Sequence, residues 1–198
     1  MTRRLGLLVL ACALCWGVPL AAKGPTDPVD VTVTREGEHL LFTAEFRVPV
    51  DIRTAWAVLT DFEHMAGFLP GLKESYVLAQ TGDRLTVQQK GESTAGLLSM
   101  EYESVRAVYL TPYRSIRSRT LKGSLGAVEG ETRLTPEGRD GTRISYTAQA
   151  QPDSILASIV PTRYIREELR TQFQAMREEM LRRARLQVGR TASAPIGG

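Results

Sequence analysis

Three features of the sequence predict an α+β domain in which one antiparallel sheet is closed by a single long C-terminal helix. Residues 42–76 read as a strand, a hard stop, a short amphipathic helix and a Pro-Gly turn. Residues 72–151 break into short alternating segments separated by turn residues, the pattern of an antiparallel meander. Residues 154–188 then carry the longest helical periodicity in the chain.

Residues 1–22 are expected to be a signal peptide outside the fold. Arg3 and Arg4 form a basic start, Leu5 to Trp16 is apolar apart from Gly6, and Pro19-Leu20-Ala21-Ala22 offers a cleavage site. Export to a periplasm follows from this reading. Leu20 sits where a small residue is preferred, so the alternative is an uncleaved segment that anchors the chain in the membrane. Val9-Leu10-Ala11-Cys12 resembles a lipoprotein box only loosely, because Leu10 is not small. Both cysteines, Cys12 and Cys15, fall inside the segment, so the mature chain can use no disulfide or thiol. Losing Arg3 and Arg4 takes the basic count from 25 to 23 against 22 acids, and the net charge from +3 to +1. That balance gives no argument for a nucleic-acid partner.

Residues 23–37, with Pro25 and Pro28, read as a leader, residues 38–188 as one domain, and residues 189–198 as a disordered tail of small residues. Within the domain, Phe42, Ala44, Phe46 and Val48 alternate with polar neighbours until Pro49 ends the strand. Asp51 is placed to cap the helix that follows, and Ile52, Ala55, Trp56, Leu59 and Phe62 share one of its faces.

The meander is punctuated at Thr81-Gly82-Asp83, Gly91 to Gly96, Thr111-Pro112, Gly123 to Gly126 and Pro136 to Gly141. One phase of its strands holds Leu98, Met100, Tyr102 and Val108, then Val128, Thr132 and Leu134, then Ile144, Tyr146, Ala148 and Ala150. On the other phase Glu101 and Glu103, Arg117 and Arg119, and Glu129 and Glu131 suggest a solvated acid-base-acid ladder across three strands, not a pair of catalytic carboxylates. The inward phase is notable for small residues at Ser118, Thr120, Gly130, Thr132, Ala148 and Ala150. They either leave volume for a ligand, or the helix approaches closely or fills the gap with long side chains. Arg106 and Lys122 also fall inward if no bulge intervenes, with their charges expected to snorkel to solvent.

In the last element, Ile165, Leu169, Phe173, Met176, Met180 and Ala184 form an apolar stripe. Pro161 should divide the helix into a piece at about 154–160, capped by Asp153 or Ser154, and a long piece at about 163–188. Glu178 with Arg182 and Glu179 with Arg183 are spaced to pair on a solvent face, while the arginine cluster at its end leaves a transient membrane-surface contact as an alternative.

This order of elements, with Asp61-Phe62, Phe68-Leu69 and Pro70-Gly71 in their spacing, resembles the START-like, polyketide cyclase/dehydrase (SRPBCC) superfamily over roughly residues 40 to 185. The resemblance implies a helix-grip fold: a curved antiparallel β-sheet wrapped around a long C-terminal α-helix, with short helices after the first strand flanking the mouth of an apolar cavity. In character the chain is nearest to coenzyme Q-binding START-domain proteins. The resemblance assigns Phe62, Met65, Phe68, Leu69 and Pro70 to the helix and mouth loop, and Phe173 and Met176 to the grip helix. Trp56 on the first helix and Met100, Tyr102 and Tyr146 on the inward strands complete the candidate ligand-binding set.

No cofactor motif accompanies it. His39 and His64 are the only histidines, there is no metal-spaced cluster, and Asp61, Glu63 and His64 read as a solvated helix end. Neither a nucleophile elbow nor a phosphate-binding glycine loop is present. The expected function is non-catalytic binding of an apolar small molecule, a lipid or isoprenoid quinone. The alternatives are a cyclase/dehydratase using Tyr102, Tyr146, Tyr164 or Arg106 to orient a polyketide-like substrate, and a protein-interaction module.

Overall fold

A computed structural model describes residues 29–95, 98–124, 126–152 and 160–192. The expected signal peptide, the start of the leader, the helical piece before Pro161 and residues 193–198 lie outside the described residues. Eight strands form one antiparallel sheet: β1 (Asp30–Glu36), β2 (His39–Val48), β3 (Leu72–Thr81), β4 (Arg84–Ala95), β5 (Leu98–Thr111), β6 (Ser115–Gly123), β7 (Ala127–Glu137) and β8 (Gly141–Gln151). Helix α1 (Ile52–Leu59) and a 3₁₀ helix (Phe62–Gly67) separate β2 from β3, and α2 (Thr162–Ala192) closes the chain. The spatial order β1-β2-β8-β7-β6-β5-β4-β3 shows why the short helices are needed. They carry the chain from β2, near one edge, to β3 at the other.

The local chemistry follows the sequence closely at this crossover. The Asp51 carboxylate accepts from the backbone N–H groups of Arg53 and Thr54 at 2.9 and 3.1 Å and so caps α1, an arrangement worth about 0.5–2 kcal/mol. Gly71 turns the chain into β3 in the left-handed region, at φ +75°.

Four expectations are corrected. The leader ends earlier than residue 38, because residues 30–36 form β1, pairing Val31 with Ala44 and Val33 with Phe42 and burying both valines. Gly91 lies inside β4 and Pro136 inside β7, not in turns. The charged ladder is only half present. Arg117 and Arg119 stand opposite Glu131 and Glu129, but on β5 their partners are Tyr109 and Ala107. β5 is 14 residues long and β6 only 9, so Glu101 and Glu103 lie toward the far end of their hairpin and turn to Lys73 and Gln88. Finally, α2 runs to Ala192, four residues beyond its expected end at 188.

The buried core gathers Val31, Phe42, Phe46, Val48, Val58 and Ile144 with Phe173 and Met180 from α2. Phe173 packs between Phe46 and Tyr146, at ring separations of 5.9 and 5.2 Å. Among the described elements, α2 approaches β1, β2, β4 and α1 most closely along its backbone. It stands off from β6 and β7, which carry Ser118, Thr120, Gly130 and Thr132. The close-approach reading of those residues is thereby replaced: the space over them is not filled by helix backbone.

Met180 is fully buried at the helix-sheet contact. Met180→Ala is expected to cost about 2–5 kcal/mol, measured as a drop in the urea midpoint at unchanged m-value.

Candidate functional site

A cavity of about 370 Å³ occupies the gap between α2 and the middle of the sheet. That volume lies within the range of small-molecule sites, roughly 300–1,000 Å³. Its floor is Ser118 and Thr120 on β6 and Gly130 and Thr132 on β7, the small residues noted in the sequence. Leu169, Phe173 and Met176 of α2 form the roof, and Leu59, Phe62, Met65 and Leu69 form the side toward the short helices. Gly130 is tightly placed, since a Cβ there would meet the Ala148 Cβ at 2.8 Å.

Of the eleven candidate ligand-binding residues, seven line this space: Phe62, Met65, Leu69, Tyr102, Tyr146, Phe173 and Met176. Four do not. Trp56 packs outside, with its ring 5.7 Å from that of Tyr113. Phe68 lies beneath the Arg183 guanidinium at 5.8 Å. Pro70 is exposed and contributes its carbonyl, which accepts from Gln172 Nε2 at 2.6 Å. Met100 is half-buried near the β4–β5 connection and does not reach the cavity lining. Strand periodicity placed Tyr102 and Tyr146 inward, but periodicity could not say how far along each face the cavity extends.

Arg106 departs most from expectation. Its side chain is half-buried in the cavity lining, with Nε fully covered, and does not snorkel to solvent. Nη2 donates to Gln89 Oε1, while Nε has no hydrogen-bond partner. Gln89 is itself fixed, donating through Nε2 to Ser75 Oγ at 3.1 Å and to Met65 Sδ at 3.6 Å. Burial pushes the Arg106 pKa down, opposed by the phenols of Tyr146 and Tyr102. An arginine nonetheless keeps its charge in a protein. Burial also raises the pKa of both tyrosines, and Arg106 partly offsets it. Lys122 behaves differently. The β5–β6 register slips between Val105 and Arg106, so that Val105 faces Lys122 while Arg106 faces Thr120. Leu121 is the extra residue, Lys122 moves to the outer face, and Gly123 takes its place in the lining.

The sequence also missed the clasp that holds the short helices to α2. Arg183 donates through Nη2 to Asp61 Oδ2 at 2.6 Å and through Nε to Glu179 Oε1 at 2.7 Å. Glu179 is buried, not solvated, and also takes Arg182. Glu178 bonds Gln174 in place of Arg182. At Asp61, burial alone would raise the carboxyl pKa, but the hydrogen bonds from His64 and Arg183 outweigh it and hold it low. The Arg182 hydrogen bond, with Arg183 adding to it against burial, holds Glu179 low as well. His64, fully exposed, is raised by its hydrogen bond to Asp61.

A second depression, of about 600 Å³, lies on the outer face over Arg117, Arg119, Glu129 and Glu131. It is a shallow charged surface without an enclosing wall, so the inner cavity is the better ligand site. Among the described residues no group of three or more His, Cys, Asp or Glu could hold a metal ion, and no helix is long and apolar enough to cross a membrane.

The sheet, the grip helix and the cavity between them are those of a helix-grip α+β domain. Residues 48–177 match the family described as polyketide cyclase / dehydrase and lipid transport, and the chain belongs to that family. No curated protein matches it by sequence. Similar solved structures include the ZhuI aromatase/cyclase from Streptomyces sp. R1128, with 16% identity and a TM-score of 0.65 over 74% of this chain and 96% of that one. A STAR-related lipid transfer protein from Xanthomonas axonopodis matches with 15% identity and a TM-score of 0.60 over 78% and 99%. Human STARD10 matches with 13% identity and a TM-score of 0.61 over 84% and 78%. At these identities the likeness carries the fold alone.

Arg183→Met should leave Asp61 and Glu179 without their shared partner and cost about 1–3 kcal/mol at pH 7. Both carboxyls have folded pKa values below their ordinary 3.8 and 4.5. Their contribution is therefore full above those values and is lost as pH falls through the lower folded ones. The deficit of the variant in urea unfolding should accordingly shrink as the pH is taken below about 4.

Proposed function

We propose that this domain binds an apolar small molecule, a lipid or an isoprenoid quinone, in its internal cavity and carries or senses it without catalysis. The observation that carries this reading is the geometry of the enclosure. Large apolar groups from α2 and the short helices face a floor of small residues across a gap that the helix backbone does not enter. Removing apolar surface from water at about 25 cal/mol per Å² supplies the binding energy. The family includes lipid transport in its description, and one of the similar folds is a STAR-related lipid transfer protein.

The reading also includes export to the periplasm, resting on the basic-then-apolar start, and delivery by transient contact with a membrane surface. The family description and the aromatase/cyclase fold keep an enzymatic reading in view. The groups around the cavity favour it less. Tyr102 and Tyr146 have raised pKa values and are poor bases at neutral pH. Glu168, the acid in the cavity lining, accepts from Gln172 at 2.9 Å.

Protein purified from a bacterial periplasm should yield, on solvent extraction and mass spectrometry, an apolar compound at close to one per chain. Repeated empty preparations that also refuse apolar fluorescent probes would overturn the reading. Ser118→Trp, which projects an indole from the floor into the cavity, should weaken uptake of such a probe by at least about tenfold, or about 1.4 kcal/mol, with the far-ultraviolet circular dichroism unchanged.

A further inference from the structure

The geometry points to a ligand that is an acid: an apolar body ending in one carboxylate, bound with the carboxylate inward against Arg106. The inference rests on the cavity-binding reading and narrows it. Arg106 comes from the middle of β5 and stands half-buried in the cavity wall. Its Nη2 is committed to Gln89, a neutral acceptor, and no acidic side chain among the described residues pairs with it. Nε is buried with no partner at all. A buried cation that is neither paired nor fully hydrogen-bonded is costly to fold. Nothing in the packing requires an arginine here, because Val108 and Tyr102 on the same face show that β5 accommodates apolar and aromatic side chains.

The surroundings fit an incoming anion. Gln89 is held by Ser75 and Met65, so its carbonyl fixes the guanidinium in place. Tyr102 and Tyr146 lie near enough to Arg106 for its charge to act on their phenols, and both line the same cavity. Their hydroxyls can donate to a carboxylate that also accepts from Nε. Glu168, the acid of the lining, is bonded to Gln172 and makes no ion pair with Arg106, so the one unpaired cation calls for one negative charge. A phosphate monoester, whose second pKa is about 6, would bring nearly two at neutral pH. Size limits the remainder. The cavity of about 370 Å³ lies toward the lower end of the range of small-molecule sites. A single medium-length chain or a compact ring system with one acid group suits a site of that size.

Decanoate, decan-1-ol and decyl phosphate separate these terms, because they share a chain and differ only at the head. Titrated into the wild-type protein by displacement of an apolar fluorescent probe, decanoate should bind at least tenfold tighter than decan-1-ol. Its affinity should fall as pH is lowered through the acid's own pKa, while that of decan-1-ol stays constant. In Arg106→Met the preference should vanish and binding of decan-1-ol should remain. Equal binding of decanoate and decan-1-ol by the wild type, or a preference that survives in Arg106→Met, overturns the inference while leaving the cavity reading intact. Tighter binding of decyl phosphate overturns the carboxylate assignment. Failure of all three probes on folded protein overturns the cavity reading as well. Should Arg106→Met not fold, the wild-type head-group comparison and its pH dependence still decide the matter.

Discussion

The long helix is held at its flanks and left unsupported over the middle of the sheet, and the rest of the site depends on that. On one side Phe173 and Met180 pack into the β1–β2 part of the core, and on the other the helix approaches β4. Between these supports the sheet offers Ser118, Thr120, Gly130 and Thr132. Larger side chains there would meet the helix and convert the gap into ordinary core, with more buried area and greater stability. The small residues thus give up packing energy to keep a volume. A protein that needed only a stable fold would have no use for that arrangement.

A helix that spans a gap must be fixed in register, and polar contacts do this where apolar packing cannot. Arg183 reaches from α2 to Asp61, at the junction of α1 and the 3₁₀ helix, while remaining tied to Glu179 on its own helix. Gln172 reaches the Pro70 carbonyl about three turns earlier. The Leu69–Leu72 segment is therefore attached to the helix by directional bonds as well as by Leu69 itself. Hydrogen bonds to charged groups contribute about 1.5–3 kcal/mol each. They can also be broken singly without dismantling the core, which suits a segment at the entrance to a cavity. His64, bonded to the same Asp61, adds a titratable group at this junction. Its raised pKa means that its contribution is full below the ordinary value of 6.5 and fades as pH rises through the higher folded value.

The fold was legible in the sequence because its signals are local. Alternation in Phe42 to Val48, the Asp51 cap, and the stripe from Ile165 to Ala184 each depend on neighbours within a few residues. Half of the site was legible for the same reason, since inward phase alone identifies Tyr102, Tyr146, Thr132 and Gly130. The remainder depends on distances between elements. Nothing in the sequence of β1 says that Val31 and Val33 will find Phe42 and Ala44 rather than belong to a leader. Glu179 and Arg183 have the spacing of a solvated pair, and only the nearness of Asp61 makes them a clasp. Phe68 and Pro70 sit in the mouth segment as expected, yet one turns to Arg183 and the other to Gln172.

Arg106 and Lys122 show most clearly where local reasoning stops. Alternation places both inward and gives both the same expected escape to solvent. One extra residue, Leu121, separates their fates. It shifts the phase of β6 so that Lys122 faces outward and Gly123 inward, and it leaves the phase of β5 untouched. Without that bulge two cations would share the cavity wall, and mutual repulsion in a poorly solvated space would push one of them out or unfold the strand end. With it, a single guanidinium remains in the wall, braced by a neutral glutamine, while Glu168, the acid of the lining, is bonded to Gln172. An irregularity of one residue therefore leaves the cavity one cation rather than two, and sets with it the electrostatic character of the wall around Arg106.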